Sequence, residues 1–181
     1  MGSFADQEEA VTPLHIGTWS LFSAGADGRA GAMAVPAVVT PPASAAATYT
    51  PLVLPFPYIV SRVWWANGST VTSCSADVGI YTDDGARLVS GGGTALAGAS
   101  VLQYVDVTDT LLSPGRYYIG CVFSGTLTSR GFGLLTAAPN GQQQGLLQQA
   151  TAYPLPATMT PVAYNANGLY LCGITRTASG F

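Results

Sequence analysis

The sequence predicts an all-β chain, an antiparallel β-sandwich of jelly-roll-like kind with an extended N-terminal arm. Several runs alternate apolar and polar residues with a period of two. Glycine, aspartate, asparagine and proline punctuate those runs at turn-like positions. No segment carries a sustained helical period. With 181 residues, 48% of them hydrophobic, the chain is long enough for one domain around a real core.

Residues 1–48 are assigned to the arm. They are rich in Ala, Gly and Pro, and the prolines of AVPAVVTPPASAAAT (34–48) exclude a regular helix. The short run of glycine triplets at 25–33 is too brief and too poor in proline for a collagen stalk. The arm nevertheless holds Leu14, Ile16, Trp19, Leu21 and Phe22, more apolar surface than a solvated tail carries. These five are the candidate docking residues, against the body or another subunit.

The body is assigned to residues 49–181. PYIVSRVWWANGS (57–69) reads as a strand ending in an Asn-Gly turn, which also accounts for the Asn67-Gly68-Ser69 triplet without glycosylation. In SADVGIYTDD, Val78, Ile80 and Thr82 share one face, and Asp77 falls on the other, directed at solvent. Asp83, Asp84 and Gly85 sit where that strand must reverse toward ARLVS, as a type I′ hairpin turn. A calcium site at the adjacent aspartates is the alternative, but their spacing matches no EF-hand. VLQYVDVTD aligns Val101, Val105 and Val107; GRYYIGCVF aligns Tyr117, Ile119, Cys121 and Phe123. Pro114-Gly115 between them suits a type II turn. The Gln/Pro-rich stretch at about 137–168 reads as a long loop, functional or held by a neighbour. LYLCGITR then returns as a last strand.

Composition narrows the function. There is no lysine, and the six arginines are scattered, so no basic stripe exists to track a phosphate backbone: no nucleic-acid partner is expected. No apolar run reaches membrane-spanning length, and the acidic start MGSFADQEEA does not resemble a secretory signal. Cys74, Cys121 and Cys172 form no zinc pattern and read as reduced thiols, fitting a protein folded in a reducing cytoplasm. His15 is the sole histidine and lies in the arm; no nucleophile elbow is present. Asp77 and Asp106 lie on strands and could in principle pair as the two carboxylates of a glycosidase, but solvent-facing positions explain them better. No enzyme, metal or cofactor is expected.

Two aromatic pairs remain, Trp64-Trp65 and Tyr117-Tyr118. Strand neighbours face opposite sides, so one member of each pair belongs to the core. The other either packs on a neighbouring subunit or the arm, or stacks on a sugar ring. The scarcity of charge (8% of residues) favours a surface covered by neighbours.

The order of motifs in the body resembles a β-sandwich module of tailed-bacteriophage structural proteins. The matching residues are Pro55, Phe56 and Pro57; Gly79, Ile80 and Tyr81; Asp84, Gly85 and Leu88; and Leu112, Pro114, Gly115, Tyr117 and Tyr118, over about residues 50–125. The resemblance implies a virion subunit, in a tail, fibre or other appendage, that oligomerises with itself, possibly as a trimer, and meets other virion proteins through its arm. It carries no catalytic residue over. The alternatives are a carbohydrate-binding module that attaches to a host-surface glycan, and a capsid decoration protein.

Overall fold

A computed structural model describes residues 16–17, 38–39, 45–71, 73–125, 129–133, 145–164, 168–170 and 172–176. Among these the strands are β1 (Ile16–Gly17), β2 (Val38–Val39), β3 (Ala47–Leu54), β4 (Tyr58–Ala66), β5 (Ser75–Thr82), β6 (Arg87–Ser90), β7 (Thr94–Ala95), β8 (Leu102–Leu112), β9 (Gly115–Phe123), β10 (Ser129–Gly133), β11 (Leu147–Gln149), β12 (Val162–Ala163), β13 (Gly168–Tyr170) and β14 (Cys172–Thr175). No helix occurs among the described residues. Every strand pairing is antiparallel.

One sheet runs β1-β14-β4-β8 and a larger one β12-β11-β3-β9-β5-β6, with β7 also on β5; β13, β10 and β2 form a small third sheet. Successive long strands change sheets: β3, β5 and β9 lie in the larger, β4, β8 and β14 in the smaller. This is the wrapped connectivity of the predicted sandwich. The main core lies between the two sheets. Val60, Val63, Trp65, Leu112, Cys172 and Ile174 meet Leu52, Leu54, Ala76, Val78, Ile80, Ile119, Cys121 and Phe123 there. Tyr117, Val105 and Val107 pack at its margin. The period-two faces read from the sequence are therefore real, except that Val101 lies exposed ahead of β8.

The larger sheet is apolar on its other face as well. Ala47, Tyr49, Tyr81, Tyr118 and Val122 form a second core with Ala152, Leu155 and Met159. The stretch expected to be a loop is thus, over residues 145–164, a third layer. It adds β11 to the edge of β3 and then crosses the sheet. An alternating strand with large side chains on both faces needs two coverings, and this segment supplies the second. At the centre of the sheet, Gly120 leaves the space that the Tyr49 and Tyr81 rings fill edge to face, 5.3 Å apart. A Cβ there would lie 2.9 Å from Tyr81.

Three turn expectations need correction. Only Gly85 of the Asp83-Asp84-Gly85 loop has positive φ (92°), the Gly85 N–H donates to Thr82 O and the Thr82 N–H to Ala86 O. That is a three-residue loop with a left-handed glycine and a bulge, not a two-residue type I′ turn. Gly115 lacks the positive φ of a type II turn, because Pro114 lies in a connection that passes from one sheet to the other. Asn67 is not in a solvated turn but buried. It is a hub: the Trp65 indole N–H donates to its Oδ1 (3.0 Å), and its Nδ2 reaches Ala97 O, Gly98 O and Gln103 Oε1 at 2.9–3.0 Å. This ties the 95–101 excursion to the end of β4.

Of the arm, the described pieces pair with the chain's own body, β1 with β14 and β2 with β10. Ala47 and Thr48, assigned by composition to the arm, begin β3. Leu14, His15, Trp19, Leu21 and Phe22 and the side chain of Ile16 lie outside what is described.

Candidate functional site

The aromatic residues singled out in the sequence do not form a surface. Trp65 (1% exposed) is in the main core, and Trp64 (3%), on the opposite side of β4, is buried too. Tyr118 lies in the second core, where its hydroxyl accepts from Arg116 at 2.5 Å. Tyr117 packs half-buried against the main core and donates to Ser113 O (2.8 Å). One member of each pair belongs to the main core; of the other two, Trp64 is buried on the outer side of β4 and Tyr118 is taken up by the second core.

The exposed apolar residues are elsewhere. Val63 and Trp65 point into the core, so Arg62 and Trp64 lie on the outer face of β4; beyond the register shift Val60 is the core residue, which turns Ile59 outward as well. Opposite them in register are Leu111, Asp106 and Tyr104 of β8, and Ala66 faces Leu102. Leu111 (67% exposed), Leu102 (57%) and Tyr104 (55%) are open, as is Ile59, and Val101 precedes them. Val53 and Phe56, also exposed, flank the turn into β4. Along β8, and at Ile59, this face is therefore an exposed apolar stripe interrupted by one ion pair, whereas at Trp64 and Ala66 it is covered. Arg62 Nε donates to Asp106 Oδ1 at 2.6 Å, and its guanidinium lies 4.1 Å from the centre of the Tyr104 ring. β8 is also the last strand of its sheet, and its register with β4 shifts between Val60 and Arg62. Sequence reasoning followed the valine face of this strand; the signal it passed over was Leu102 and Tyr104 at alternate positions on the other face.

On the far side of the sandwich Asp77 is fully buried, a correction to its expected solvent position. β6 and the covering segment enclose it together: Ser90 Oγ donates to Oδ1 (2.6 Å) and the Leu155 backbone N–H to Oδ2 (3.0 Å). Arg87 reaches the Leu155 carbonyl from the same side. Asp77 and Asp106 thus occupy opposite outer faces of the sandwich and do not form a carboxylate pair.

At the 82–86 turn, Asp84 accepts from the Thr82 hydroxyl, which holds its carboxyl below the usual range. Asp83 pairs instead with Arg116 at 3.1 Å. The two carboxylates are engaged with different partners, and no group of three or more metal-ligating side chains occurs among the described residues. The three cysteines are free thiols; Cys121 and Cys172 are buried in the main core, and burial pushes the Cys121 thiol well up. No described helix is long and apolar enough to cross a membrane.

No protein-family model matches the chain, and comparison with curated proteins finds no match.

Proposed function

We propose that this chain is a non-enzymatic structural subunit of a larger assembly, and that the assembly is a virion of the tailed-phage kind, in which it forms part of a tail, fibre or other appendage. The observation that supports the subunit reading is the apolar stripe on β4 and β8. Four large apolar side chains, Ile59, Leu102, Tyr104 and Leu111, lie exposed on one sheet face of a chain with only 8% charged residues. Contiguous exposed apolar surface of this kind marks protein–protein contact. The virion reading rests on the order of motifs over residues 50–125. Quantitative mass spectrometry of particles purified from the source tests it. A few symmetric sets of copies per particle is the expected result; hundreds of copies indicate a capsid decoration protein instead. Absence from particles overturns the reading.

Glycan attachment is the second reading, and Tyr104 beside Arg62 and Asp106 is its best support, a ring flanked by hydrogen-bonding groups. The guanidinium over that ring already takes a position that a stacked sugar would need. The interface reading is therefore preferred.

A further inference from the structure

We infer that Cys121 and Cys172 are a latent cross-link, a site where a disulfide joins the two sheets of the sandwich once the chain folds or opens in an oxidising medium. The inference goes beyond the assembly reading above and does not depend on it.

The facing of two strands carries it. Cys121 is on β9, inside the larger sheet, and Cys172 begins β14, inside the smaller one. Both point into the main core, 0% and 1% exposed. The Cys121 thiol is in hydrogen-bonding contact with Cys172. Two residues after Cys121, on the same face of β9, stands Phe123. Two residues before Cys172 stands Tyr170, and these two rings meet edge to face with centroids 4.8 Å apart. The two contacts are in step, upward along one strand and downward along the other. The strands therefore oppose each other across the core and run in opposite directions, with thiol over thiol and ring over ring. Cα atoms of β9 and β14 come within 8 Å of each other, and a disulfide commonly spans about 4.4–6.8 Å between Cα atoms. A small approach of the sheets closes the bond.

The third thiol does not compete. Cys74 lies at the margin of the same core beside Gly125, where an added Cβ would fall 2.6 Å from its sulfur. Gly125 is two residues beyond Phe123, so the Phe123–Tyr170 ring pair stands between Cys74 and the facing thiols.

The bond forms by two exchanges with a small-molecule disulfide such as oxidised glutathione. One cysteine thiolate attacks it, releases one small thiol and becomes a mixed disulfide. The other thiolate then displaces the second small thiol. Two protein S–H bonds are lost and one S–S bond is gained, while the oxidant takes up both electrons and both protons as two thiols. Burial keeps such a reagent from both sulfurs while β14 is seated. Exchange therefore proceeds when β14 has left its place or has not yet reached it. The same burial shields the finished bond from reductants. The bond closes a loop of about fifty residues that contains the covering segment 145–164. It ties the last described strand to the middle of the other sheet. Restriction of the unfolded chain by a loop of that size corresponds to a rise in Tm of about 10 °C.

Oxidative refolding of the full chain tests the inference. The chain is reduced and unfolded in urea, then refolded in a mixture of reduced and oxidised glutathione, and a second portion is refolded in reductant alone. Intact mass, disulfide mapping after digestion without reductant, alkylation of the remaining thiols and Tm are compared. The oxidised portion is expected to lose two hydrogens, to yield a peptide pair linked through Cys121 and Cys172, to keep Cys74 alkylatable, and to melt about 10 °C higher. The folded, reduced chain should acquire the same bond slowly in that mixture, and faster as sub-denaturing urea is added. Cys74→Ser should form the bond as the wild type does. Cys172→Ala, checked for folding by circular dichroism, should gain no Tm from the oxidant.

Cys121 and Cys172 that both stay alkylatable after oxidative refolding overturn the inference. A bond that goes through Cys74, or only between chains, overturns it as well. So does a Cys121–Cys172 bond that leaves Tm unchanged or lowers it, because the two thiols then do not face each other as a disulfide requires.

Discussion

Replacing Asn67 should cost more than its place in an Asn-Gly pair suggests. In Asn67→Ala the Trp65 indole N–H, in a side chain 1% exposed, loses its acceptor. An orphaned buried donor costs about 1–3 kcal/mol. Nδ2 also leaves three acceptors, of which Ala97 O and Gly98 O lie on an exposed excursion that water can reach. Their loss adds about 0.5 kcal/mol each, for a total of about 2–4 kcal/mol. At this chain length that is a fall in Tm of roughly 5–15 °C. Asn67→Asp separates the two roles. It retains the acceptor for Trp65 but sets oxygens against the oxygens of Ala97, Gly98 and Gln103. Burial and those acceptors raise the new carboxyl above its unfolded value. The variant's stability is then greatest at low pH and is lost as pH rises through that raised value. Urea denaturation, with hydrogen exchange at residues 95–101, measures both. A loss under about 0.5 kcal/mol for Asn67→Ala, or an Asn67→Asp variant equal to wild type at neutral pH, would refute the hub.

Three further outcomes are expected. Asp77→Ala leaves the Ser90 hydroxyl and the Leu155 N–H without their acceptor; it should destabilise by about 2–4 kcal/mol and expose residues 145–164 to limited proteolysis, with Asp77→Asn milder because one acceptor oxygen remains. Burial pushes Tyr49 up to about 12 and displaces Tyr58, Tyr81 and Tyr170 upward as well. Unfolded tyrosines ionise near 10, so the stability these groups confer is complete below that pH and falls as pH rises toward 12; Tm measured alongside tyrosinate absorbance should drop across that window, and a flat profile contradicts it. Cys74, half-buried, should react with an aromatic disulfide reagent in the native state, whereas Cys121 and Cys172 should react only in denaturant; native labelling of all three would contradict their burial.

The strands were legible because one physical rule, alternation against a core, governs them. Val78, Ile80, Ile119, Cys121 and Phe123 occupy the predicted face. The same rule misplaced Asp77, since a period of two says which side a residue is on but not whether that side is wet. That depends on residues 145–164, whose prolines and glutamines carry no period. Leu155 and Gln149 act there through contacts with residues far away in sequence, among them a backbone N–H on Asp77 and an amide oxygen that accepts from Tyr49 and Thr160. The stripe on β8 was hidden for the converse reason: Leu102 and Leu111 look like core residues until the number of layers is known. Asn67 read as a turn residue because Asn-Gly is a turn signal, and nothing local shows that Gln103 and the carbonyls of Ala97 and Gly98 converge on it.

The placement of β14 bears on how the chain reaches this state during synthesis. It follows every other described strand, yet it lies inside its sheet, between β1 and β4. Cys172 pairs with Trp65, about a hundred residues earlier. Until residues 172–175 leave the ribosome, β4 keeps an open edge and β1 has no strand to join. The larger sheet lacks no such late strand among β3, β5, β6 and β9, so it can form first, with the smaller sheet closing over it last. Nascent chains would then keep one sheet unfinished until those residues emerge, and chains that stop before them would display the β4 edge to chaperones and proteases.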